Sequence, residues 1–456
     1  MLKSKVAVQV ISTGMLPEDT LMLGEAYVKQ WKIPKGQHIQ LKFGALRHSV
    51  KVIPVTKYDG MRMSQSLARQ MGLSNGTAMR LHYKASTATL VLGPLIGVLI
   101  SRDDPNMPDK PFGSITMFCR ELVEACTAQG AYVYFFTPNQ IGGSSNYIDG
   151  WIYQDGWCQV TLPVPDVINN RLTSRKLENK PSVQHFLKEV KLNHQTTVFN
   201  EKFLDKTEVF EALKKDESLV RYLPESHLLR NYSMLKSMCS RYSNVFLKPV
   251  RGSLGKGIIR VSRVESGSYQ AMYATAAGTR RQQYSSLVKL FSTISAKMKT
   301  VRFQVQQGLQ LIEIQKRPVD FRALVQKNAS GKWAITSIVA RTAGSHHFVS
   351  NLARGGTLSK VGEAVAKSNL QSGISRQDTV KQLQQAALHI ARGVDTHIPA
   401  HFGELGIDLA LDTSGRVWLL EVNSKPSKND NTPLSDNKIR PSVRMMIQYS
   451  RFLSGF

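Results

Sequence analysis

The chain has 456 residues, 42% of them hydrophobic and 8% aromatic, which is ordinary for a globular protein but too long for one compact core, so two to four domains are expected. Against 33 Asp and Glu stand 60 Lys and Arg, a net charge of +27 that favours anionic partners without naming one. The longest apolar run, residues 88–100, is too short for a bilayer, which takes about 20 residues. Cys119, Cys126, Cys158 and Cys239 show no C-x-x-C spacing, and the amino-terminal MLKSKVAVQVIS has no cleavage signature. Reduced thiols and a cytoplasmic location are expected.

Residues 1–86 alternate in short strands, VAVQVI, HIQLKFG, HSVKVIPV and AMRLHY, with a helical turn in MRMSQSLARQMGLSNGT. A small β-barrel-like domain is expected, carrying 13 Lys and Arg against 4 Asp and Glu. A second, α/β domain is expected over 87–193. In it TLVLGPLIGVLIS reads as a buried strand region, GSITMFCRELVEACTAQG as a helix and AYVYFFTP as a second strand, a parallel βαβ crossover. Its Gly-Pro is not a G-x-G-x-x-G fingerprint, so no dinucleotide site is implied. A hairpin-like YIDGWIYQDGWCQV follows, and from His194 the chain turns helical, with FLDKTEVFEALKKD as one segment.

Residues 243–261 read SNVFLKPVRGSLGKGIIRV, a buried strand, a glycine-rich loop and another strand. Gly252, Ser253, Gly255, Lys256 and Gly257 let the backbone fold closely over phosphates. Lys256 is followed by glycine and a strand, so this is not a Walker A loop. Lys248 interrupts a strand that otherwise reads as core; a plain turn with a snorkelling lysine is the competing reading. Residues 276–298 read as a basic amphipathic helix around QQYSSLVKLFSTISAKM. In the strands after it, Asp320, Arg322 and Arg341 break the apolar alternation. Arginine holds its charge when partly buried and offers a fork to phosphate or carboxylate, although an Asp320–Arg322 ion pair would explain the first two. Asn351, Arg354, Gly355 and Gly356 offer a second anion cradle.

The stretch 401–426, HFGELGIDLALDTSGRVWLLEVNSKP, reads as a hairpin around Asp412-Thr413-Ser414-Gly415. Asp408 lies in its first strand, and Glu421 and Asn423 share one face of the second. Two carboxylates and an amide oxygen on adjacent strands suit Mg²⁺ or Mn²⁺; ordinary solvent-facing acids are the plain alternative.

Taken in order, FLKP with GSLGKG, VQQG, VDFRALV, VAR, NLARGGT, GIDLALD and LLEVNSKP resemble the ATP-grasp superfamily, in the manner of its YheC/YheD-type endospore-coat-associated branch. The resemblance implies an α/β ATP-grasp domain over 194–456, preceded by a pre-ATP-grasp domain and the small barrel. It implies ATP and Mg²⁺ (or Mn²⁺) as cofactors, Lys248 and Lys206 on the phosphates, and the 252–257 loop closing over them. Gln306 and Gln307 fall at the adenine and ribose hinge, where the family often has a glutamate. Asp408, Glu421 and Asn423 match the metal ligands, and Arg322 and Arg341 match the arginines that stabilise the transferring phosphate. His346 and His347 fit a plain loop role.

The expected activity is carboxylate–amine ligation through an acylphosphate. Expected partners are ATP, an anionic carboxylate substrate such as an acidic peptide or protein, and spore coat proteins. A non-catalytic nucleotide-binding coat protein is the alternative. Nucleic-acid binding rests on charge alone, without a recognition helix or aromatic signature.

Overall fold

The structure, a computed structural model, describes residues 4–251, 257–264, 267–275, 278–344, 355–427 and 439–456. The amino-terminal strands are β1 (Ser4–Ile11), β2 (Thr20–Gly24), β3 (His38–Phe43), β4 (Leu46–Val55), β5 (Met61–Ser64), β6 (Ala78–Lys84) and β7 (Thr89–Gly93). They close into a barrel in the order β1-β5-β2-β4-β3-β7-β6. Strict alternation drives the closure: Val6 and Val8, Ile39 and Leu41, and Val50 and Val52 point inward, and the polar residues between them face out. The TLVLGPLIGVLIS stretch is not one strand region. Pro94 has no N–H to donate to a ladder, and the chain divides there, β7 completing the barrel and β8 (Leu95–Leu99) opening the next sheet.

The second sheet contains β8, β9 (Tyr132–Phe136), β10 (Tyr147–Tyr153), β11 (Trp157–Pro163), β12 (Val167–Asn170) and β13 (Thr197–Phe199), in the order β11-β10-β9-β8-β12-β13. β8 and β9 are parallel and joined by the helix Thr116–Gln129, the expected crossover. One hydrophobic cluster runs from the barrel (Val6, Leu41, Met63) into this sheet (Leu95, Tyr134, Ile168). Burying a side chain of this kind contributes about 1.5–3 kcal/mol, so barrel and sheet stabilise each other.

The third sheet holds β14 (Ser226–Leu228), β15 (Asn244–Pro249), β16 (Ile259–Arg263), β17 (Tyr269–Thr275), β18 (Gly278–Tyr284) and β19 (Phe303–Gln307), in the order β14-β19-β15-β16-β17-β18. The basic helix expected from residue 276 begins only at Leu287 and runs to Met298, capped by the Ser286 hydroxyl. The QQY segment instead pairs in β18 with β17, with Tyr284 turned into the core.

The fourth sheet is built from β20 (Glu313–Ile314), β21 (Arg317–Lys327), β22 (Trp333–Thr342), β23 (Thr357–Ser359), β24 (Glu404–Leu411) and β25 (Val417–Asn423). Its path is β23-β22-β21-β24-β25, with β20 paired to β21. On one face Phe321, Ala323, Ile407 and Leu419 bury against Ala387, Ile390 and Val394 of the helix Arg376–His397. The other face is polar and carries the candidate site. Among the described residues no helix is long and apolar enough to cross a membrane. All four cysteines are free thiols.

Candidate functional site

The polar face of the fourth sheet follows from register. Asp408 stands opposite Glu421, and Gly406 opposite Asn423, so the three residues expected to hold a metal share one face of β24 and β25. The next strand places Arg322 opposite Asp408, and the strand beyond places Arg341 opposite Asp320. Residues two apart in a strand point the same way, so Asp320, Arg322, Arg341, Asp408, Glu421 and Asn423 form one polar patch over an apolar core.

Both arginines are fixed by carboxylates. Arg322 forms a bidentate pair with Asp408, its Nη2 2.9 Å from Oδ2 and its Nε on Oδ1. Arg341 forks onto Asp320 through Nε and Nη2 at 2.6 and 2.9 Å, and its Nη2 reaches Asp408 Oδ1 at 3.2 Å. The competing reading, an Asp320–Arg322 ion pair, gives way to two cross-strand pairs, because directly opposed side chains lie closer than those two residues apart along one strand. Burial alone would raise the Asp408 carboxyl, but Arg322 and Arg341 outweigh it and hold it below its usual range. Burial likewise opposes the charge on Arg341, and Asp408 and Asp320 more than restore it.

Lys248 approaches from the third sheet. Val245 and Leu247 point into that sheet's core, so the alternate residue Lys248 points away from it. Its Nζ donates to Gln306 Oε1, and its ammonium is pushed down to about 8. Burial is the main cause; Lys206 lowers it further, whereas Glu421 and Asp408 work the other way. Lys206, the first residue of the helix Lys206–Leu213, places Nζ 3.1 Å from Glu421 Oε1. The side chain of Asp205 caps that helix, accepting from the N–H groups of Thr207 and Glu208.

The two glutamines expected at the hinge diverge. Gln306 is buried and meets Lys248, whereas Gln307 accepts the Glu225 N–H at 2.7 Å and pins the chain entering β14. Gly257 is exposed at the foot of the glycine-rich loop. Gly252, Ser253, Gly255 and Lys256 lie outside the described residues, as do His346, His347, Asn351 and Arg354.

The donor set fits a hard divalent cation: two carboxylates and an amide oxygen on one face, in reach of lysines that favour phosphate. One buried polar atom supports a polar ligand in the same cleft. Among the described residues, Gln306 Nε2, on the side chain that meets Lys248, finds no hydrogen-bond partner, and buried donors normally have one.

Residues just beyond Asn423 are held by contacts that strand reading did not reveal. Lys425 pairs with Glu178 in a nearly dry setting, their side chains 2% and 5% exposed. Arg171 pairs with Glu404 and donates to Pro426 O at 2.6 Å. Ser424 Oγ donates to Lys202 O at 2.7 Å. Lys425, inside LLEVNSKP, was the available signal; its partner lies 247 residues earlier.

The profile of YheC/D-like ATP-grasp proteins matches residues 195–453. The chain is 30% identical over 342 residues to the endospore coat-associated protein YheD of Bacillus subtilis (strain 168), covering 75% of this chain and 74% of that protein. It is 23% identical over 317 residues to the endospore coat-associated protein YheC of the same organism, covering 68% of this chain and 85% of that protein. Among solved structures, the VanG D-Ala:D-Ser ligase from Enterococcus faecalis aligns with a TM-score of 0.48 at 12% identity, over 79% of this chain and 99% of that one.

Proposed function

The chain belongs to the YheC/D-like ATP-grasp family, and from that premise we propose that it is an ATP-dependent carboxylate–amine ligase. Carrying this reading is the convergence of four cationic residues, Lys206, Lys248, Arg322 and Arg341, on Asp408 and Glu421 across the cleft between two sheets. Phosphoryl transfer to a carboxylate needs charge neutralisation more than covalent help, and such a cluster supplies it.

In this reading the substrate carboxylate attacks the γ-phosphorus of ATP and ADP leaves, giving an acylphosphate. The amine then attacks the acyl carbon, the C–N bond forms, and phosphate departs with the proton lost to solvent. Lys248 and Lys206 hold phosphate oxygens. Gln306 offers its unpartnered amide nitrogen to the nucleotide, and Gln307 holds the hinge. Asp408, Glu421 and Asn423 would hold Mg²⁺ or Mn²⁺, which when bound neutralises charge on the phosphates. Arg322 and Arg341 stabilise the transferring group. The substrate is an anionic carboxylate, an acidic peptide or protein being favoured by the net charge of +27.

The names of YheD and YheC support a setting at the endospore coat, and with it a second reading, a coat protein that binds ATP without turning it over. The deciding experiment compares ATP turnover with Mg²⁺ in the wild type and in Glu421→Gln, across a panel of acidic peptides and amino acids. The ligase reading expects ADP and phosphate only with an acceptor present, and roughly a hundredfold loss in the variant. Tight ATP binding without turnover on any acceptor would favour the second reading.

A further inference from the structure

Strand β22 is ten residues long, and among the described residues its outer edge is only partly paired. β23 covers that edge at Ala340, Arg341 and Thr342. Beyond Ser359 the chain turns into the helix Val361–Lys367, and among the described residues no strand pairs with the same edge from Trp333 to Ile338. The open stretch reads Trp-Ala-Ile-Thr-Ser-Ile, in which Trp, Ile and Thr favour a strand and there is no lysine or proline. An exposed strand edge offers unpaired N–H and C=O groups, and proteins normally blunt it with charge, proline or a cover. This edge has no such charge or proline. A groove of about 520 Å³ runs along it instead. Ile338, Val361 and Val380 line its helix side; Val339 and Leu358 line the other, Leu358 being 51% exposed.

We propose that this edge is a docking slot for an extended acidic peptide segment of the substrate; calling the occupant substrate rests on the ligase reading above. The slot continues the row already occupied by β23, whose antiparallel pairing supplies the template. A strand seated there sends alternate side chains onto Ile338, Val361 and Val380 on one side, and onto Val339 and Leu358 on the other. The second row leads to the candidate site. Val339 is opposite Arg322 and Leu358 is opposite Arg341; Ser359 faces Ala340 and the extended Lys360 follows it beside Val339, so a docked side chain level with Ser337 is four residues, about 13 Å, from the Arg341 position. Charge selects the occupant. Lys360 is the charged residue among the described residues lining the groove, and it adds to the net charge of +27, whereas Arg322 and Arg341 are already paired with Asp408 and Asp320. A second copy of the chain, itself at +27, is disfavoured by the same field.

The test is fluorescence anisotropy with the full chain and a fluorescein-labelled peptide of four Val-Glu repeats, in the absence of ATP. Strand addition draws affinity mainly from backbone bonds, so this alternating probe suffices. Gln384→Trp fills the groove from an exposed position on the helix Arg376–His397 and leaves the core alone. Saturable binding by the wild type, at least tenfold weaker in Gln384→Trp and weaker for a Val-Lys probe, is expected, with ATP affinity unchanged in the variant. No binding at millimolar peptide, or equal binding by the variant, overturns the slot. A wild-type dimer that Gln384→Trp dissociates would assign the edge to a second copy and overturn it as well. If peptide binding follows the expected pattern and no acceptor supports turnover, the slot stands and the ligase reading falls.

Discussion

Lys206 opens a helix, Glu421 lies near the end of a sheet strand 215 residues later, and their charged groups meet at 3.1 Å. Asp408 is likewise engaged, by Arg322 and Arg341. Both carboxylates proposed as metal ligands are thus already neutralised by the chain's own cations. A divalent ion competes with them when added alone; nucleotide phosphates draw the lysine away and supply ligands of their own. Mn²⁺ titrated against the nucleotide-free chain should bind weakly, and at least tenfold more tightly with ADP present. Lys206→Met should strengthen binding of Mn²⁺ alone by about tenfold, equivalent to roughly 1.4 kcal/mol. Electron paramagnetic resonance of free Mn²⁺ reads both, and equal affinity in variant and wild type would rule out the competition.

Lys248 links pH to nucleotide binding. Burial pushes its ammonium down to about 8, so the group is charged below that pH and neutral above it. ADP affinity should therefore fall as pH rises from 7 to 9.5, while Lys248→Met binds more weakly and without that slope. Folding runs the other way. An unfolded lysine keeps its proton to 10.5, so between about 8 and 10.5 the unfolded chain binds more protons and this residue makes the fold more stable as pH rises. ADP titrations and urea unfolding at matched pH values should show the two opposite trends, which a general loss of structure at high pH cannot produce.

Much of the candidate site was legible because charges interrupted apolar strands. Lys248, Arg322, Arg341 and Asp408 are found by asking which residue breaks a period of two, and all four face the same cleft. Their pairing was not legible. It depends on which strand lies beside which, and β21 is flanked by β22, its neighbour in sequence, and by β24, some eighty residues further on. The Lys425–Glu178 and Arg171–Glu404 pairs stayed hidden for the same reason, since each joins segments more than 200 residues apart. The alternation of the barrel strands was readable, but their parallel neighbours, β1 with β5 and β3 with β7, are set by closure rather than by local sequence. At QQY, helical spacing was outweighed by the ladder available from β17.

Gly406 shows how little space the arginine cluster leaves. It lies across from Asn423, and a Cβ built there would be 3.3 Å from Arg322 Nη1 and 3.1 Å from Pro426 Cβ. Alanine in a strand costs the unfolded chain some freedom, a stabilisation of about 0.4–1 kcal/mol that the crowding offsets, so Gly406→Ala should leave unfolding in urea nearly unchanged. Arg322 cannot step aside freely, because its fork is fixed on Asp408. The displacement therefore falls on the guanidinium proposed to meet the transferring phosphate, and a shift of this kind lowers turnover by about 10–100-fold while ADP affinity holds. Arg322→Lys, which keeps the charge and loses the fork, should be affected at least as strongly. Should Gly406→Ala turn over ATP at the wild-type rate while Arg322→Lys is impaired, the arginine has room to move and its position is set by Asp408 alone.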